Sequence, residues 1–160
     1  MFRRVFLLAA MLGAGCGSGD PHLPAGSGRL VLTRTAPSRK TLLDLPALAR
    51  YCERDSTLSI VAIGGDWTGA LAVRTAWPIS RQTRFPVDSA LGGAGSGAVA
   101  ARPVGDSIQV AWVGRSGAIV VEPGPRLAGR VEAELKREAG ALIRVTGRFD
   151  DLSVRLGSCL

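Results

Sequence analysis

Few side chains here are suited to chemistry. Three tryptophans (Trp67, Trp77, Trp112), three cysteines (Cys16, Cys52, Cys159) and one histidine, His22, stand among 160 residues. His22 lies in a run of Gly, Ser and Pro, so the rest of the chain has no imidazole for a Ser-His-Asp or Cys-His triad. A His/Cys zinc set is equally out of reach, and no Cys-x-x-Cys pair offers a redox centre. Glu132 and Glu134 share a strand face, and Asp150 and Asp151 are adjacent, so either pair could be read as glycosidase carboxylates. The first pair sits among arginines on a solvated face, and the second reads as a turn. Asp66, Asp88, Asp106, Asp150 and Asp151 are too dispersed for a calcium site. Gly92 to Gly97 has no Gly-Lys-Ser/Thr ending and no helix after it, so it reads as a loop rather than a phosphate cradle. A non-enzymatic chain without a cofactor is the expectation.

The tryptophans remain. An indole presents a flat apolar face to a lipid or a sugar, and Trp67, Trp77 and Trp112 are the binding candidates. The competing reading is that they fill a core, the commoner fate of tryptophans on alternating strand faces.

The N-terminus addresses the compartment. Arg3 and Arg4 precede an apolar stretch from Val5 to Ala14, the pattern of an export signal. That stretch is too short to span a bilayer, which takes about 20 apolar residues. Leu12-Gly13-Ala14-Gly15-Cys16-Gly17 follows and resembles a lipobox, in which small residues precede a cysteine that is lipid-modified and becomes the new N-terminus. Gly13 stands where such motifs usually carry a large apolar residue, with Leu12 one place back. Cleavage near Ala14 or Gly15 without lipid, or an uncleaved anchor, are the alternatives. Acyl chains contribute about 0.8 kcal/mol per buried CH₂, so the domain would need no apolar segment of its own to stay on a membrane. Residues Gly17 to Gly28 form a Gly/Ser/Pro tether spanning about 19 Å on average as a random coil.

If Cys16 carries lipid, Cys52 and Cys159 form an even pair in an oxidising compartment, where a disulfide is expected. It would close a loop of about 100 residues and pin the C-terminus, for about 4–5 kcal/mol at most on the chain-entropy model.

The elements that must position these residues read as strands. The chain carries 21 glycines and 9 prolines, a composition of many turns. Arg29–Arg34 is a first strand and Thr57–Ile63 a buried central one. Trp67, Gly69, Leu71, Val73, Thr75 and Trp77 share one face of another. Ser107–Val113 and Ala118–Glu122 read as two strands joined by a tight turn at Gly114–Gly117. Leu42–Tyr51 is ambiguous between an edge strand and a helical turn. The final hairpin is the best specified. Val131, Ala133 and Leu135 face inward with Ile143, Val145 and Phe149, a turn lies at Glu138–Gly140, and Glu134 stands opposite Arg144 with Glu132 near Arg148. The predicted fold is all-β: one antiparallel β-sandwich or flattened barrel of seven to nine short strands spanning residues 29–160.

The formal charge is +7. The arginines are scattered singly, so no nucleic-acid footprint is marked. The final hairpin, Gly129–Leu135 with Ile143–Phe149, and the segment Cys52-Glu-Arg-Asp-Ser-Thr-Leu-Ser-Ile-Val61 resemble those of small envelope lipoproteins of Gram-negative bacteria. The resemblance implies an envelope location on the inner or outer membrane and a β-sandwich-like fold. It carries no catalytic residues. A periplasmic or secreted domain is the alternative location. The expected role is a protein-interaction or structural surface held at the membrane, with a module for an apolar or carbohydrate ligand as the alternative.

Overall fold

The computed structural model describes residues 28–36, 39–64, 66–103, 111–137, 140 and 142–157. The predicted signal, Cys16 and the tether up to residue 27 lie outside the described residues, as does Cys159.

The sequence alternation that makes strands also fixes which faces turn inward. Ten strands follow in chain order: β1 (Gly28–Ala36), β2 (Arg39–Cys52), β3 (Thr57–Gly64), β4 (Trp67–Arg74), β5 (Thr83–Pro86), β6 (Gly97–Pro103), β7 (Trp112–Glu122), β8 (Leu127–Lys136), β9 (Leu142–Leu152) and β10 (Val154–Leu156). The sheet runs β1-β9-β8-β7-β6-β4-β3-β2, and β1 pairs back with β2. Eight strands therefore close an antiparallel barrel, which removes the exposed sheet edges a sandwich would leave. The two short strands fill gaps in the wall. β6 pairs with β7 only at Ala100–Val113 and Ala101–Trp112, and β5 takes over along β7 from Ala118 to Val121. β1 covers β2 from residue 39 to Ala47, and β10 continues beside Ala49–Tyr51 in parallel.

The barrel interior is a packed core. Leu30, Leu58, Phe85, Ile119, Leu135, Phe149 and Leu152 are at most 1 % exposed. Glycines on the inner face make room for the large residues. Gly129 lies directly opposite Phe149, and a Cβ there would meet the Phe149 ring and the Val120 carbonyl. Outside the wall, Ala70, Ala72, Ala98 and Ala100 form a small second cluster under Leu91.

The predicted final hairpin has the expected register: Glu134 faces Arg144 and Leu135 faces Ile143. One pairing differs. Glu132 faces Thr146, and its carboxylate takes the Arg144 guanidinium, whereas Arg148 faces Arg130 and bonds Asp150 at 3.2 Å.

Four further expectations are corrected. Gly114–Gly117 is not a hairpin turn; β7 runs unbroken from Trp112 to Glu122, and residues 107–110 of the expected first strand lie outside the described residues. Its glycines mark a bulge, where Arg115 is the extra residue between Gly114–Leu135 and Ser116–Glu134. Gly117 has φ +126°, and a side chain there would strike the Glu132 carbonyl. Asp150 and Asp151 are not a turn but a second bulge, within β9, where Asp151 takes φ 57°. Leu42–Tyr51 is strand throughout and not helical: through Pro46 it pairs with β1 alone, at Ala47 with β1 and β3, and along Ala49–Tyr51 with β3 and β10. Pro46, which has no N–H to donate, sits one residue before the pairing with β3 begins. Finally, β4 stops at Arg74, so Thr75 and Trp77 lie beyond it, and a cis bond joins Trp77 to Pro78.

Candidate functional site

Closing the barrel gives it two unlike ends. The first is where β1, β3, β6 and β8 finish and β2, β4, β7 and β9 begin. The inner face of β1 reads Leu30, Leu32, Arg34, so the apolar alternation ends on an arginine that points inward. β4 and β7 each open on an inward tryptophan. Trp67 and Trp112 meet with ring centroids 5.4 Å apart and planes tilted by 42°. The Arg34 guanidinium lies 4.5 Å over the Trp67 ring, and that of Arg137, just past β8, lies 5.4 Å over Trp112. The order Arg34, Trp67, Trp112, Arg137 is a stack of four planar groups across one end of the core. Each arginine–indole contact contributes about 0.5–2 kcal/mol, and the indole pair about 0.5–1.5 kcal/mol beyond its burial.

The stack leaves hydrogen bonds unmade. Arg34 stands directly opposite Thr41 on β2. Arg34 Nε and Thr41 Oγ1 are both buried, and neither has a hydrogen-bond partner. A buried donor without an acceptor costs about 1–3 kcal/mol. Such groups are uncommon in native proteins, and a cross-strand pair of them is a place where an acceptor is missing. Neither residue was singled out from the sequence. The signal was there: residues 30, 32 and 34 share a strand face, so the two leucines put Arg34 on the inner one.

The second end is where β1 begins at Gly28. Here Tyr51 packs against Trp77, centroids 5.8 Å apart, and the Tyr51 hydroxyl donates to the Thr75 carbonyl at 3.2 Å. Trp77 and Ile79 pack on the barrel core, in the segment that leads to β5. The three candidate tryptophans are thus divided: Trp67 and Trp112 share one end, and Trp77 belongs to the other. Cys52 is buried at the end of β2, next in sequence to Tyr51. The Gly157 N–H donates to the Tyr51 carbonyl at 3.3 Å, so the chain returns beside Cys52 two residues before Cys159.

The outer wall carries the charges. Arg29 grips Asp44 across β1 and β2 through bonds of 2.8 Å (Nε–Oδ1) and 2.7 Å (Nη2–Oδ2). The Arg29 bond holds the Asp44 carboxyl below its ordinary value, against an opposing push from burial. Glu132 in turn raises Arg144. These carboxylates are spread along exposed strands, each with a cationic neighbour, and do not face one another across a cleft. Among the described residues there is no group of three or more His, Cys, Asp or Glu placed to hold a metal, and no helix is long and apolar enough to cross a membrane.

Compared with family models, curated proteins and solved structures, the chain has no match.

Proposed function

We propose that this chain is a non-enzymatic envelope lipoprotein whose barrel holds out an interaction surface at the end away from its tether. Cys16 carries the lipid in this reading, residues 17–27 supply the slack, and the barrel stands in water. One observation carries it: Gly28 opens β1 at one end of the barrel, while Arg34, six residues on, lies at the other with Trp67 and Trp112. A lipid on the tether would keep the first end near the membrane and turn the arginine–tryptophan end outward. The wall agrees with a barrel in water. Its inner face is apolar, and the outer face of β8 and β9 carries Arg130, Glu132, Glu134, Arg144 and Arg148, the reverse of a membrane-spanning barrel.

The expected Cys52–Cys159 bridge is part of the same proposal. From Gly157, held at Tyr51, two residues reach at most about 7 Å, enough for the Cα separation of about 4.4–6.8 Å that a disulfide takes.

Fractionation of a Gram-negative host expressing the full chain tests the anchor. The protein should sediment with membranes and have the mass of residues 16–160 plus acyl groups, and Cys16→Ser should lose both properties. An unlipidated mass with Cys16 intact, or Cys16→Ser remaining membrane-bound, would overturn the anchor.

A second reading, a module for a small ligand, is favoured by the Trp67–Trp112 contact with its unmet donors.

A further inference from the structure

We infer that the Arg34–Trp67–Trp112 end of the barrel binds an amphiphilic organic anion: one oxyanion group carried on an apolar ring or chain. The inference rests on the ligand-module reading and names the ligand class for that site.

Three observations converge on this class. The first is the pair of buried groups without partners, Arg34 Nε and Thr41 Oγ1, directly opposite each other on β1 and β2. Arg34 has only donors to give, and the Thr41 hydroxyl, which can accept or donate, can turn its O–H to the same side, so one incoming acceptor meets both; against a guanidinium the strongest acceptor is an oxyanion. The second is charge. The described residues at this end include the cations Arg34, Lys40, Arg102, Lys136, Arg137 and Arg144, against the carboxylates of Glu132, Glu134 and Asp66, the last exposed in the β3–β4 connection. The third is the apolar lining beside the charge: Trp67, Trp112, Leu43 and Ala36 are partly buried against the core, with surface left for a ligand body.

The same geometry weighs against a neutral sugar. A sugar ring stacks on an indole face, and here it would have to displace Arg34 from Trp67 or Arg137 from Trp112. An anion bonds the guanidinium groups that a sugar would have to drive off the indoles. Both are long side chains at the rim, and their rotation admits the oxyanion to Thr41. The indoles hold each guanidinium in plane, which lowers the ordering cost of a two-pronged grip on a carboxylate.

The test uses the full chain in detergent micelles and its own tryptophan fluorescence, titrated with 4-phenylbutanoate and with 4-phenylbutan-1-ol. The two share an apolar body, and only the first has an oxyanion. The carboxylate should perturb the emission saturably and bind about tenfold tighter than the alcohol, the worth of one good charge-assisted hydrogen bond. Arg34→Met should erase that advantage and Thr41→Val should reduce it, each with the native melting profile checked. Arg84→Met, on exposed β5 at the other end, should leave it intact. Should Arg34→Met fail to fold, Thr41→Val and the native carboxylate-to-alcohol ratio still decide. Equal binding of acid and alcohol, or a ratio unmoved by both variants, overturns the anion and leaves the ligand module standing. Equally effective displacement by inorganic phosphate overturns the need for an apolar body. Silence towards both phenyl compounds removes the ligand module itself.

Discussion

Phe149→Ala should be among the most costly single changes in the barrel. The Phe149 ring is 1 % exposed and lies opposite Gly129 on β8 and Leu30 on β1. Burying a phenylalanine and then truncating it costs about 3–5 kcal/mol, the upper part applying where the site cannot collapse. Collapse is blocked here because the facing residue is a glycine with nothing to lean into the gap. For a domain of about 130 residues, each kcal/mol moves the midpoint by about 4 °C, so a loss near 4 kcal/mol lowers Tm by about 15 °C. The neighbour supplies the control. Arg148 points outward and bonds only the exposed Asp150 among the described residues, so Arg148→Ala should stay within about 0.5 kcal/mol, or about 2 °C. Gly129→Ala should cost about 1–3 kcal/mol by overpacking, and Phe149→Leu should restore part of it. The remainder persists because the Val120 carbonyl also occupies that space. Thermal melts followed by circular dichroism read all four. A fall of less than about 5 °C for Phe149→Ala, or an equal fall for Arg148→Ala, would refute the register, since a one-residue slip exchanges the two faces.

Two other outcomes test the wall and the terminus. Because Arg29 lowers the folded value of the Asp44 carboxyl, that pair contributes stability above the ordinary carboxylate range and loses it as pH falls through the lower folded value. The wild-type advantage over Asp44→Asn, small for an exposed pair, should hold from neutral pH to about pH 5 and vanish in stronger acid; a difference unchanged at pH 2 would refute the assignment. For Cys52 and Cys159, alkylation should add two groups only after reduction, and Cys159→Ser should cost about 2–5 kcal/mol; two alkylations without reductant would remove the bridge.

How legible all this was depends on where along each strand the information sits. The β8–β9 pairing was readable because its inner residues alternate without a break and its charges fit only one register. β7 was misread because glycine has two structural uses. Gly114 and Gly117 look like a turn, yet they let a bulged strand lie against Val87 and Ala133, a use that depends on neighbours far along the chain. Asp150 and Asp151 were misread for the same reason: a bulge and a turn both favour aspartate at positive φ. The candidate site was half legible. Tryptophans attract attention by type, but type alone could not separate Trp77 from Trp67 and Trp112, which meet only when the barrel closes. Arg34 was passed over because scattered arginines read as a solvated face, and most of them are. Its position on the leucine face of β1 marks it as different. Arg34→Met would remove an unmet donor that costs about 1–3 kcal/mol together with an indole contact that contributes about 0.5–2 kcal/mol, so its net effect on folding is small. In the reading proposed above, an oxyanion arriving from solution would supply the acceptor that Arg34 Nε lacks, which is a reason for an arginine to stand on the leucine face of β1.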